Sequence, residues 1–131
     1  MSATKPGLLQ QIEGVVGAVG ILTGNALRGR SAGIWSGAEL RALALVRPAN
    51  TAEVAAVMQL CHAARQAVVP AGGMTGLAGG HTSTCADMVL SSERMKRVES
   101  LQAHSRCCTV QAGVILQAGH DAAAEAGLGC A

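Results

Sequence analysis

Hydrophobic residues recur at helical spacing in two stretches of the chain. Over residues 8–19 the apolar side chains fall on one side of a helix, although Gly14 and Gly17 interrupt it and Gly20 follows it. Over residues 51–65 they follow the same period, and Asn50 with Glu53 three positions later is typical of an N-terminal capping box. The pattern therefore predicts two helices, of which the second has a defined start.

Short apolar runs predict strands around the second helix. Residues 42–46 form one run, which the proline at position 48 ends, and residues 66–70 form another. A strand, a helix and a strand in this order predict a βαβ unit with parallel strands and a right-handed crossover. Residues 87–91 make a third strand.

The remaining segments are shorter or less regular. Residues 23–41 show little period and predict irregular structure, and residues 98–101 predict a short extended piece. Alternation over residues 107–112 indicates a further strand. An alanine-rich stretch at residues 117–126 predicts a helix, with Gly127 as its C-terminal cap.

These elements predict an α/β (α+β) fold without an internal repeat. We divide the chain into an N-terminal helical and irregular segment, residues 1–41, and a domain over residues 42–131. Half of the 131 residues are hydrophobic, but there is no Phe or Tyr and only one Trp, Trp35. The core must therefore be built from small aliphatic side chains, each of which buries less area.

Charge and cysteine usage exclude several classes of function. The net charge is only +2, and Arg94, Lys96 and Arg97 alternate with Glu93 and Glu99, so we interpret this stretch as a solvated surface rather than a nucleic-acid site. The five cysteines form no C-x-x-C pair and predict free thiols in the cytoplasm. No apolar run is long enough to span a membrane.

The most distinctive feature is a glycine-rich segment directly after the second strand of the βαβ unit. Five glycines occur in the nine residues 72–80, and such a loop lets backbone N–H groups form a concave nest for phosphate oxygens. A flexible surface loop is an equal alternative on glycine content alone. Neither the dinucleotide fingerprint G-x-G-x-x-G nor a P-loop occurs.

Several motifs in fixed order resemble one known family. They are residues 45–57 (LVRPANTAEVAAV), residues 68–80 (VVPAGGMTGLAGG), residues 89–91 (VLS), Arg94-Met95, and residues 110–114 (VQAGV). Together they are similar to the FAD-linked oxidases, with an FAD-binding domain of the p-cresol methylhydroxylase (PCMH) and vanillyl-alcohol oxidase type. The most similar branch is that of D-lactate dehydrogenase, glycolate oxidase and D-2-hydroxyglutarate dehydrogenase.

The resemblance implies a cofactor and a set of contacts. FAD lies between a parallel βαβ subdomain and an antiparallel one, and in this branch it is bound without a covalent link, so attachment through His81 is not expected. A hydride passes from a 2-hydroxy acid to the flavin, which carries the redox chemistry, and a separate substrate domain supplies the catalytic groups. By the resemblance the pyrophosphate loop consists of Pro70, Ala71, Gly72, Gly73, Met74, Thr75, Gly76, Leu77, Gly79 and Gly80.

The chain departs from the family pattern at three points. Ala71 stands where relatives usually have Gln or Arg, and Met74 where they often have Asn. The sequence ends at Ala131, before the second FAD subdomain and the substrate domain, so no catalytic residue can be named. Two alternatives to an FAD-binding part of a 2-hydroxy-acid oxidoreductase therefore remain open, an inactive fragment with weak or no FAD binding and a non-redox phosphate-binding module.

Overall fold

The computed structural model describes residues 7–33 and 36–129, so Trp35, Cys130 and Ala131 lie outside the described residues. Within that part there are three α-helices and two β-sheets. The helices are α1 (Leu8–Val16), α2 (Thr51–Ala63) and α3 (Leu116–Glu125). The strands are β1 (Ile21–Leu22), β2 (Ala44–Val46), β3 (Val68–Ala71), β4 (Met88–Ser91), β5 (Val98–Gln102) and β6 (Cys107–Val110).

The larger sheet has the strand order β1-β2-β4-β3. β2, β4 and β3 run parallel, while β1 pairs antiparallel with β2. The parallel arrangement predicted for the two strands around α2 is confirmed, but β4 lies between them. Met88 and Val89 of this central strand are fully buried, as is usual for strands of parallel sheets.

Helix α2 begins where the sequence predicted. The Asn50 side chain accepts a hydrogen bond from the Glu53 N–H at 2.9 Å, which satisfies one of the free N–H groups of the first turn. The Glu53 carboxylate accepts from the N–H of Ala49 at 2.8 Å, one residue before the position that a standard capping box would use. Cys61 of this helix faces the core and is 1 % exposed.

Segments that precede β2 contribute to the cover on both faces of this sheet. On one face α1 and α2 pack together through residues that include Ile12, Val57 and Met88. On the other face Leu27 and Leu40 pack against Leu45, Ala71 and Val89. The core of the parallel sheet therefore depends on residues 8–40, which supply apolar side chains to both sides.

Helix α1 is shorter than its hydrophobic period predicted. It ends at Val16 because Gly17 adopts a positive φ of 78°, a conformation that glycine enters without steric cost. A short 3₁₀ turn at Ala18–Gly20 follows and leads into β1. β1 lies just beyond that predicted helix and was not predicted.

The second sheet is the β5–β6 hairpin, followed by α3. β6 ends at Val110, two residues before the predicted limit. Gly127 has a φ of 74° and stands just beyond the C-cap residue Ala126, where the Leu128 N–H bonds to the Ala123 carbonyl at 2.8 Å to complete a Schellman motif. Among the described residues, no helix is both long and apolar enough to cross a membrane.

Gly113 joins the hairpin to the chain that follows β4. Its N–H donates to the Met95 carbonyl at 2.9 Å, and a Cβ at this position would lie 1.8 Å from the Ser92 carbonyl oxygen. Only glycine allows this approach of two backbones. This contact holds the hairpin beside the carboxyl end of β4.

Candidate functional site: the glycine loop and its cavity

The carboxyl ends of the three parallel strands meet at one edge of the larger sheet. β2 leads from this edge into the N-terminus of α2, β3 leads into the glycine loop, and β4 leads to Ser92. Ligands of parallel α/β sheets characteristically bind outside the carboxyl ends of the strands. The topology therefore places the glycine loop at the edge where a ligand site is expected.

The glycine loop, residues 72–80, is open to solvent apart from Met74, which is half-buried. A Cβ at Gly72, Gly76 or Gly80 would meet no protein atom within 4 Å. Within the described part of the chain, the N–H groups of Gly72, Gly73 and Gly76 donate no hydrogen bond to protein. These donors and the free space beside them suit an external anion.

A cavity of about 390 Å³ opens beside the start of this loop. The predicted residues Pro70, Ala71 and Gly72 form one wall. The other walls come from the start of α2 (Pro48, Thr51, Val54), from the end of β4 and its continuation (Leu90, Ser91, Ser92, Met95), and from Ala112. Its lining is mostly aliphatic with a few hydroxyl groups, a composition common in cofactor sites.

The structure thus divides the ten predicted contact residues into two groups. Pro70, Ala71 and Gly72 line the cavity. The other seven, Gly73, Met74, Thr75, Gly76, Leu77, Gly79 and Gly80, lie in the loop outside the cavity lining, and the Leu77 side chain is 83 % exposed. The Gly79 carbonyl accepts from the Thr82 N–H at 3.0 Å, which closes the loop in a turn.

The two positions that depart from the family pattern are packed against the second core cluster. Ala71 is 6 % exposed and its small side chain contacts the group around Leu45 and Val89. Met74 packs against the same cluster but has a φ of 56°. Asparagine tolerates this left-handed conformation better than methionine does. At Met74 the apolar contact with the core cluster offsets the backbone strain of the positive φ.

His81 lies at the far end of the loop, against the segment before position 34. A Cβ on Gly33 would come within 2.9 Å of His81 Nε2 and within 3.2 Å of the Met74 carbonyl oxygen. Gly33 has a φ of 146° and is buried. The imidazole therefore packs on the N-terminal segment, and a non-covalent mode of cofactor binding stays a prediction.

An ion-pair network braces the same edge of the sheet. The Glu93 carboxylate is paired with Arg30 and, at 3.3 Å, with Arg47, and it accepts a hydrogen bond from the Ser91 hydroxyl at 2.9 Å. Arg47 also donates to the carbonyl of Val19. The network ties the segment before β2 to the residue that ends β4.

The environment of Glu93 favours its ionised form. Partial burial opposes ionisation, but the hydrogen bonds from Ser91 and Arg47 and the charges of Arg30 and Arg47 together outweigh it, so the pKa of Glu93 lies below its ordinary value. Glu93, which the sequence pattern grouped with a solvated surface, is one-third exposed and ion-paired. No local signal could have shown this, since Arg30 and Glu93 are 63 positions apart. Arg47 takes part in this ion-pair network.

Comparison with known proteins identifies the domain. The FAD binding domain family matches residues 42–130, which is more than half of the chain. The chain belongs to the FAD-binding domain family. This confirms the resemblance drawn from the glycine loop and its flanking motifs.

Curated relatives agree with the branch expected from the sequence. D-2-hydroxyglutarate dehydrogenase of Xanthomonas citri pv. viticola is 45% identical over 86 residues, which cover 66% of this chain and 18% of that protein. D-lactate dehydrogenase of Archaeoglobus fulgidus is 38% identical over 84 residues, 64% of this chain and 19% of that protein. The chain therefore spans about a fifth of the length of these relatives.

Solved structures confirm the predicted PCMH-type fold. Alkyldihydroxyacetonephosphate synthase superposes with a TM-score of 0.79 at 14% identity, over 95% of this chain and 26% of that one. p-Cresol methylhydroxylase superposes with a TM-score of 0.67 at 15% identity, over 92% of this chain and 24% of that one. At these identities the likeness concerns the fold, a mixed α/β FAD-binding domain.

Proposed function

We propose that this FAD-binding domain holds FAD non-covalently, with the pyrophosphate at the glycine loop. The backbone N–H groups of Gly72, Gly73 and Gly76 are the donors, and Thr75 and the other predicted loop residues shape the turn around them. The observation that carries the proposal is the pairing of these donors with free space on the loop and an aliphatic cavity at its start. The loop contains no Lys or Arg, so hydrogen bonds from neutral donors stabilise the phosphate there.

The cavity suits a less polar part of the same cofactor. Pro70 and Leu90 offer apolar contact, while the Ser91 hydroxyl is fixed by Glu93. Burial of a planar apolar group here displaces water from aliphatic surface, which is favourable at roughly 25 cal/mol per Å². FAD fits this division, since it combines a charged diphosphate with two flat ring systems.

We further propose that the chain acts within an oxidoreductase that converts a 2-hydroxy acid to a 2-oxo acid. The support is the identity with relatives named D-2-hydroxyglutarate dehydrogenase and D-lactate dehydrogenase. When bound, FAD supplies the hydride acceptor. The residues of this chain bind the cofactor and orient it, and groups from elsewhere in the whole enzyme act on the substrate.

A bulky side chain in the loop tests the cofactor site directly. Gly76→Val adds atoms where the protein has open space, so the fold should tolerate it while the pyrophosphate position is obstructed. We expect FAD affinity, measured by quenching of flavin fluorescence, to fall at least about tenfold, the equivalent of 1.4 kcal/mol. The unfolding midpoint in urea should change little.

Gly37→Val is the matched control, because Gly37 also has no protein atom within 4 Å of an added Cβ and lies outside the loop. It should leave FAD binding intact. Equal FAD affinity in the Gly76 and Gly37 variants would contradict the assignment of the loop. Binding of ADP with no response to FAD would instead point to a non-redox phosphate module.

A further inference from the structure

A second depression lies next to the cavity beside the glycine loop and differs from it in chemistry. It is a groove of about 450 Å³ lined by Ala49, Asn50, Arg94, Lys96, Arg97 and Gln111. The residues that line the groove alternate along the chain with residues that line the cavity, which include Pro48, Thr51, Met95 and Ala112. The two depressions share no lining residue. The segments 48–54, 90–97 and 111–112 each contribute some residues to the cavity and others to the groove.

Three cations converge on this groove without a carboxylate in its lining. Among the described residues, Arg94, Lys96 and Arg97 form no ion pair. Arg94 is held in place, because its Nη1 donates to the Arg47 carbonyl at 2.9 Å. Glu53, which is close in sequence, bonds to the Ala49 N–H and does not line the groove.

The two amide side chains of the groove are also oriented as donors. Asn50 Oδ1 accepts from the Glu53 N–H, and Gln111 Oε1 accepts from the Arg97 N–H at 2.9 Å. Because a backbone N–H occupies the oxygen of each amide, its NH₂ group is left for another partner. The side chains that face the groove therefore offer donors and positive charge.

We propose that this groove binds a phosphate-bearing anion at a site separate from the flavin site. A phosphate group has several acceptor oxygens and negative charge, and charge-assisted hydrogen bonds from Arg and Lys are among the strongest that a surface site can offer. The proposal is independent of FAD binding at the glycine loop. The same chemistry could also come from the diphosphate of FAD itself, and the experiment separates the two sources.

The test is a titration of the 131-residue chain with inorganic pyrophosphate, followed by NMR of the side-chain amides and by calorimetry. We expect saturable shifts of the Asn50 and Gln111 NH₂ signals. Lys96→Ala with Arg97→Ala should weaken binding at least about tenfold, since hydrogen bonds to charged groups are individually strong. Lys96→Arg with Arg97→Lys, which keeps both charges, should retain binding if the fold is intact.

Arg28→Ala with Arg41→Ala is the charge-matched control, since both arginines are exposed and lie outside the groove. An equal loss of binding in this control would overturn the proposal, because it would reduce the effect to net charge. Gln111→Glu should also abolish binding, while Gln59→Glu, on the exposed side of α2, should not.

Competition with FAD identifies the source of the phosphate. At saturating FAD the groove should bind pyrophosphate with unchanged affinity. Mutual exclusion of FAD and pyrophosphate at the Gln111 signal would overturn a separate site. An absence of saturable binding by the unmodified chain would overturn the proposal as a whole.

Discussion

The parallel sheet and the β5–β6 hairpin differ most in burial. All three residues of β2 are buried, whereas all four residues of β6 are exposed. In the described chain from residue 97 onward, Ala123 alone is buried. Two short strands that both contain apolar residues, β2 and β6, thus differ completely in burial.

The difference arises from what covers each sheet. Segments before β2 supply apolar side chains to both faces of the larger sheet. In the described part of the chain, α3 is the helix that packs against β5 of the hairpin, and an open cavity of about 590 Å³ lies there, lined by residues such as Leu101, Val110 and Leu116. Since an isolated two-stranded hairpin is marginally stable in water, we expect it to open at lower free energy than the parallel sheet.

Truncation of one isoleucine in each region should show the largest contrast. Ile12→Ala removes a fully buried side chain from the core cluster and should lower the free energy of unfolding by about 2–5 kcal/mol. Ile115→Ala removes the same atoms from a side chain that is 67 % exposed. This substitution should change the free energy of unfolding by less than about 0.5 kcal/mol. Urea denaturation measures both, and comparable losses would refute the contrast.

Acid should weaken the parallel region through Glu93. The pKa of Glu93 is lowered in the fold from its ordinary value of 4.5, so its contribution to stability is complete above that value and is lost as the pH falls through the folded-state pKa. Glu93→Gln should reduce stability at neutral pH and flatten its decline in acid. Denaturation at several pH values from about 6 to 3 measures this, and a decline of unchanged steepness would refute the assignment.

Glycine at two strained positions should give the smallest effects. Arg65 follows α2 and Arg106 precedes β6, and their φ angles are 53° and 57°. Arg65→Gly should raise global stability by up to about 1 kcal/mol, because glycine avoids the left-handed penalty. Arg106→Gly should stabilise the hairpin alone, because the hairpin is expected to open independently of the parallel sheet. The substitution should therefore slow hydrogen exchange only at hairpin amides. Equal gains in global stability would show that the two regions unfold together.

Sequence patterns predicted the elements well where the signal is local. The Asn50 cap and the glycine cap after α3 depend on neighbouring residues, and each was confirmed. The patterns placed a helix over residues 8–19 that ends early, because a glycine in a left-handed conformation outweighed the apolar period. They missed β1, whose two residues pair only because β2 lies beside them.

The sequence predicted the loop of the candidate site but not the residues that surround the loop. The glycine spacing and its flanking motifs were sufficient to name the family and the expected cofactor. The cavity walls, the ion pairs of Glu93 and the groove around Arg94 involve residues that are far apart in sequence, and no periodicity relates them. Arg94, Lys96 and Arg97 looked like a solvated surface, and their common groove with Asn50 and Gln111 became visible only in the fold.

The sequence by itself therefore determined the local conformations and the family of this protein, because capping, glycine conformations and ordered motifs are properties of neighbouring residues. The tertiary structure decided which strands are buried, which carboxylate meets Arg30 and Arg47, and which donors share a groove. These depend on contacts between distant segments. A free energy of burial belongs to such contacts and not to any one stretch of chain.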